Sequence, residues 1–167
     1  MPDLNFYVVD PGVWRANWAW GLPLIVLTVI VHVFVLGFTY QTAVKLFRRR
    51  VERGHPMILF TVIMSGLILV ATCLHASEAS AWALCYQFLG ARPDFKTAML
   101  YSLGAMTTYG HANLSLEDPW QLMGAIEALS GWLLFGLTTA FLFATVQKCY
   151  ELTTRSELSQ SDRTKHA

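Results

Sequence analysis

The segment TTYGHAN, Thr107–Asn113, gathers two hydroxyls, a phenol, an imidazole and an amide around one glycine. Side-chain and carbonyl oxygens without fixed charge are hard ligands, suited to a monovalent cation that must bind and then leave. His75 and Glu78 stand three residues apart, on one face of a helix, a spacing that metal ligands also use. Cys73 and His32 are the other donors that could lie near them. No second Glu-x-x-His accompanies the pair, so a structural role beside TTYGHAN is the stronger expectation for Glu78. Glu127 is the only charge between Leu122 and Val146. No Ser/His/Asp triad or paired carboxylates are brought together by spacing, so no enzyme activity and no organic cofactor are expected. Cys73, Cys85 and Cys149 lack CxxC spacing, which signals neither a disulfide framework nor a zinc knuckle.

These polar groups sit in a chain of 167 residues that is 54% hydrophobic and 14% charged, with a mean hydropathy of +0.43. Soluble domains carry about 25% charged residues. The excess of apolar residues falls into three runs: Leu22–Thr39, Met57–Leu74 and Leu122–Val146. A bilayer core of about 30 Å needs about 20 helical residues, so each run, with its flanks, is long enough to span. None has the polar face of a soluble helix. The first run is not a cleavable leader, because its approach holds only Arg15 as a positive charge and no small-residue cleavage site follows. Trp14, Trp18 and Trp20 read instead as an interfacial anchor.

Charge sets the expected orientation. Lys45, Arg48, Arg49, Arg50 and Arg53 crowd the connection between the first two runs, and basic short loops stay in the cytoplasm. The N-terminus and the 90–118 connection are then outside, and the tail with Arg155, Arg163 and Lys165 is inside. A net charge of +1 argues against a nucleic-acid partner. The expected divisions are an interfacial segment over 1–20, a first spanning helix over 21–47 and a second over 57–89, unbroken until Gly90. A tail over 148–167, rich in Ser, Thr and charge, is expected to lack order.

Between the second and third runs, 94–106 has helical periodicity but is too short to span. A short helix followed by a Thr/Gly-rich piece, set between two spanning helices, is a re-entrant pattern. Irregular backbone survives at membrane depth only where protein or a water-filled path satisfies its polar groups. The stretch YSLGAMTTYGHANL, followed by LMGAIEALSGWLLFGLTTAFLF, resembles the pore helix, selectivity filter and inner helix of the potassium-channel pore-loop superfamily. Ser102, Thr107, Thr108 and Gly110 match the family pattern directly, and Gly131 falls near its flexible glycine. The resemblance extends over 57–147. It implies an all-α membrane protein with three transmembrane helices and a re-entrant pore helix and filter loop, assembled as a homotetramer. The pore domain would comprise an outer helix at 57–89, a pore helix at 94–106, a filter at 107–113 and an inner helix at 119–147. The function implied is passive conduction of potassium in a bacterial inner membrane, without a soluble substrate. Ions would be held by carbonyls at Thr108, Tyr109, Gly110 and His111 and by the Thr108 hydroxyl.

The departures from the family are Tyr109 for its Val, His111 for its Tyr, Ala112 for its second Gly and Asn113 for its Asp. Ala112 replaces a residue whose backbone is left-handed, a state that costs an L-residue about 1–2 kcal/mol. Two other readings follow: a weakly selective channel that also passes sodium, and a non-conducting scaffold or sensor that keeps the fold. Gly104 and Ala105 are small where the family carries larger residues, which would make room for the Tyr109 ring. Glu127 would lie behind the filter, as an acidic residue does in the family. Gly131 and Gly136 serve either a bend or close helix packing.

His111 also has two readings, a ring of imidazoles at the outer mouth or a neutral side chain packed behind the filter. With an ordinary histidine pKa of about 6.5, a ring would charge in mild acid and repel cations. The mouth reading predicts inhibition by external acid that disappears in His111→Gln. Patch recordings between pH 8 and pH 5 measure this, and equal acid sensitivity in both proteins would assign His111 to packing.

Overall fold

A computed structural model of the chain describes residues 11–51, 55–110 and 114–165, and side chains as far as 158. His111, Ala112 and Asn113 lie outside the described residues. Four α-helices follow in order: α1 Pro11–Arg50, α2 Pro56–Phe88, α3 Phe95–Met106 and α4 Gln121–Lys165. A 3-10 turn, Asp118–Trp120, leads into α4. No strand occurs among the described residues. Among the described residues, three helices are long and apolar enough to cross a membrane, over Pro11–Arg50, Pro56–Phe88 and Asp118–Leu158.

The exterior is apolar and much of the polar chemistry is inside. Phe34, Phe38, Ile58, Leu69 and Trp132 are exposed on the chain, whereas Asn17, His32, Glu78, Ser102, Glu127, Ser130 and Thr138 are buried. Water would select the reverse. Lipid accepts it, because apolar surface costs nothing there while a polar group needs an internal partner. The arrangement is compatible with a multi-pass membrane protein.

The helix ends follow from local sequence. Asp94 caps α3, its carboxylate accepting from the Thr97 backbone N–H at 2.9 Å. That bond holds the exposed Asp94 carboxyl below its usual range. α2 stops at a Schellman motif: Gly90 takes φ +70°, Ala91 N–H donates to the Tyr86 carbonyl at 2.9 Å, and Gly90 N–H to that of Gln87 at 3.1 Å. Pro23 lies inside α1. It removes one backbone donor, a loss that membrane helices tolerate.

Two boundaries differ from the expectation. α1 starts at Pro11, so Trp14, Trp18 and Trp20 ride on the helix rather than in a separate leader. The tail expected to lack order is helical, since α4 continues to Lys165. Glu151 binds Lys148 at 2.7 Å and Arg155 at 2.8 Å, and Thr153 and Thr154 return their hydroxyls to carbonyls one turn back. Such i,i+3 and i,i+4 pairs stabilise an exposed helix whose composition alone suggests a coil.

The chain divides into two compact units. The first takes in Ser77–Leu133 and the chain up to Val29; the second takes in Ile30–Ala76 and the chain from Leu134 onward. The core of the first gathers Trp82, Ala83, Tyr86, Ala91, Ala98, Leu116, Met123 and Ile126. The core of the second gathers Ala43, Phe47, Val51, Ile63, Leu67 and Cys149.

Glycine on α4 admits α3 within the first unit. A Cβ on Gly131 would lie 2.8 Å from Met106 Cα and 2.9 Å from Met106 C, backbone atoms that cannot rotate aside. A Cβ on Gly124 would meet the Tyr101 ring, with Cζ at 3.0 Å. In the second unit, Gly136 faces open space. α4 runs as one helix through Gly131, whose contact is that of close packing. Gly131→Ala is therefore expected to destabilise by about 1–3 kcal/mol, the usual overpacking range. Gly136→Ala should be neutral or slightly stabilising in the same thermal melt in detergent.

Candidate functional site at the end of the short helix

Helix α3 is 12 residues long and its placement depends on its neighbours. Ser102, fully buried at its centre, donates to the Ala79 carbonyl of α2 at 2.8 Å and also meets the Glu127 carboxylate of α4. Tyr86 of α2 donates to the other Glu127 oxygen at 2.5 Å. One carboxylate thus gathers hydroxyls from two elements onto a third. Ser102, Tyr86 and Glu127 each have a partner, the condition under which such a network rigidifies rather than weakens its surroundings. The Tyr101 ring meets Tyr86 edge to face at 5.7 Å, adding an apolar lock between α3 and α2.

The chain then leaves α3 in an unusual way. Thr107 ends the helix, its hydroxyl donating to the Leu103 carbonyl at 2.6 Å. Thr108 follows at φ +56° and donates its N–H to the Ala105 carbonyl at 3.1 Å. Gly110, at φ +69°, donates to the Gly104 carbonyl at 3.2 Å. Thr108 therefore holds the place that Gly90 holds after α2. Glycine adopts that conformation at no steric cost, but a β-branched residue there is an outlier. Backbone strain of this kind is worth about 1–3 kcal/mol and concentrates at functional positions.

A cavity of about 340 Å³ opens beside this segment, lined by Tyr101, Gly104, Ala105, Thr108, Gly110 and Gly124 among others. Tyr109 is not among the lining residues, and it is 82% exposed on the chain. On the single chain, then, the Tyr109 ring does not occupy the space beside Gly104 and Ala105. Left-handed turns on both sides, at Thr108 and Gly110, carry the intervening side chain outward. The small residues make room, but the room stays open.

The structure brings together most of the residues singled out in the sequence. Gly104, Ala105, Thr107, Thr108, Tyr109 and Gly110 are contiguous with α3, and Glu127 and Gly131 bind α3 through its side chains and its last backbone unit. Glu78 is buried on α2, next to the Ala79 carbonyl that Ser102 engages. Cys73 is exposed. In the second unit, buried His32 is not alone: the Thr138 hydroxyl lies 3.1 Å from both His32 Nε2 and His75 Nε2. A hydroxyl has one proton to donate, so one imidazole accepts from Thr138 while the other donates to it. His75 also stacks on Phe135 at 4.3 Å. The two histidines tie α1, α2 and α4 together.

Asn17 escaped the sequence reading. Its amide donates to the carbonyls of Pro119 at 2.7 Å and Val13 at 2.8 Å, and its Oδ1 accepts from Met123 N–H at 3.0 Å. It thereby serves one of the unpaired N–H groups at the start of α4, a capping duty performed from another helix. The available signal was an uncharged amide inside WRANWAW, among aromatic residues. Compared with known protein families, curated proteins and solved structures, the chain has no match in any of the three.

Removing the Glu127 carboxylate would strand the buried Tyr86 hydroxyl, at about 1–3 kcal/mol for a group left unsatisfied, and leave Ser102 only the Ala79 carbonyl. Glu127→Leu should lower the thermal midpoint in detergent markedly. Glu127→Gln, which keeps an acceptor for Tyr86, should retain most of the stability. Equal losses in the two variants would show that charge, not hydrogen bonding, holds α3.

Proposed function

We propose that the chain is the subunit of a passive cation channel of potassium-channel type, with α3 as its pore helix and the segment from Thr107 as its filter. The observation that carries the reading is the strained, left-handed Thr108, followed by left-handed Gly110, directly after the C-terminus of a short buttressed helix. Left-handed conformation at alternate residues would let successive carbonyls turn toward one side, as they must where a filter replaces the hydration shell of an ion. The C-terminal end of α3 carries the negative end of the helix dipole and favours a cation there.

Several features support this reading. The three apolar helices suit a multi-pass membrane protein, and the basic connection after α1 favours a cytoplasmic location for that turn and for the C-terminus. A single subunit of this size encloses no pore, so conduction requires assembly around an axis, and four copies is the number the sequence resemblance implies. The exposure of Tyr109 and of Leu100 and Leu103 on α3 leaves surface for neighbouring subunits to cover. Transport would be down the electrochemical gradient, with potassium as the permeant ion at Thr108, Tyr109 and Gly110.

A weakly selective pore is the second reading, favoured by the open cavity beside Gly104 and Ala105: a filter without packing behind it would hold its diameter loosely. Flux into proteoliposomes under separate K⁺ and Na⁺ gradients distinguishes these. The first reading expects K⁺ flux well above Na⁺ flux, reduced at least about tenfold in Thr108→Ala, a loss of about 1.4 kcal/mol in barrier terms. Equal fluxes favour the second. Absence of flux at every pH and voltage from correctly assembled protein would overturn both and leave a non-conducting scaffold.

A further inference from the structure

Within the second unit, α1 and α4 form a pocket of about 390 Å³. Arg48, Lys148 and Arg155 line it together with the Ser156 side chain, while Val44 and Leu152 supply apolar walls. These residues come from two elements: Val44 and Arg48 from the end of α1, and the others from the stretch of α4 that follows its apolar run. Lys148 and Arg155 flank Glu151 one helical turn to either side and both bind it, at 2.7 Å and 2.8 Å. A single carboxylate therefore holds two cations in place and cancels only one of their charges. With Arg48 the pocket keeps a positive excess, and Arg49 and Arg50 stand beside it at the end of α1.

The location narrows the occupant. Leu46 is exposed, and Phe47 and Val51 belong to the apolar core of this unit, so the pocket lies where apolar helix surface gives way to charge. An occupant must bring negative charge, hydrogen-bond acceptors for two guanidinium groups and an ammonium, and apolar substance for Val44 and Leu152. Guanidinium matches phosphate oxygens with paired N–H donors, and lysine adds a point charge. A soluble anion offers nothing to the apolar walls. We infer that this pocket binds the phosphate headgroup of an anionic phospholipid, seating the ester-linked glycerol against Val44 and Leu152. Basic residues near a membrane surface attract anionic lipid, each adding to the preference. Binding at this end would fasten the terminal turn of α1 to α4, whatever the segment after α3 conducts.

The test is lipid binding by the full-length protein, independent of ion flux. Protein purified in detergent is titrated with phosphatidylglycerol or phosphatidylcholine and the bound lipid is counted by native mass spectrometry. Phosphatidylglycerol should bind at least about tenfold more tightly. Arg48→Gln/Arg155→Gln should abolish the preference, whereas Arg15→Gln/Lys96→Gln, which removes the same charge elsewhere, should keep it. Inorganic phosphate at millimolar concentration should not displace the lipid. All four substitutions fall on exposed positions or helix flanks, and circular dichroism checks that each variant keeps its helices. Equal binding of the two lipids would overturn the inference. So would a preference that survives Arg48→Gln/Arg155→Gln or is lost equally in the control pair. Displacement by inorganic phosphate would identify a free anion as the ligand and overturn the lipid assignment.

Discussion

The first unit depends on one buried carboxylate. Glu127 lies fully enclosed on α4 and receives Tyr86 from α2, while Ser102 on α3 joins it to the Ala79 carbonyl. Helix α3 has only 12 residues, fewer than an isolated helix needs to persist in water, and it does not cross a bilayer by itself. Its position is a property of what it is bonded to. Take Glu127 away and the Tyr86 hydroxyl has no partner, while Ser102 keeps only the Ala79 carbonyl; with Glu127 in place, α3 is held to both neighbours. The glycines then follow as necessities. Once α3 sits at that depth, its last backbone unit meets Gly131 and its Tyr101 meets Gly124, and neither position has space for a side chain.

Rigid support on one side permits strain on the other. Thr108 takes a conformation that its own β-branched side chain disfavours, and it does so one residue beyond Thr107, whose hydroxyl and N–H are both spent on capping α3. The chain end α2 shows the inexpensive solution to the same problem, a glycine at position 90. On the proposed reading the difference has a purpose: a threonine hydroxyl at that position is an additional oxygen ligand, which glycine lacks. The two units divide the chemistry. Uncharged oxygens gather after α3, and the basic side chains gather around the end of α1 and the last third of α4.

Much of the fold was legible because membrane sequence and helix periodicity give strong signals. The apolar runs located α1, α2 and α4, the absence of Gly and Pro before Gly90 set the end of α2, and Asp94 marked the start of α3. The tail after Lys148 is helical against expectation, because its composition resembles a solvated coil while its spacing of Lys148, Glu151 and Arg155 supports a helix. Asn17 was invisible for a different reason. Its partners, Pro119 and Met123, are about a hundred residues away in sequence, and nothing local in WRANWAW announces them.

The sequence by itself determined the elements and the inventory: three helices able to cross a membrane, one short helix between the last two, and a Thr/Gly segment bearing oxygen ligands. It also determined that Glu127, in so apolar a run, needed a protein partner, since an unpaired carboxylate in lipid is too costly. Only the tertiary structure decided which partners it found, that Gly131 serves contact with Met106, that His32 shares Thr138 with His75, and that Tyr109 faces outward. Periodicity and hydropathy are properties of neighbouring residues along one helix. Hydrogen-bond partners, glycine contacts and a left-handed threonine depend on where a second helix lies, and that is settled only when the helices pack.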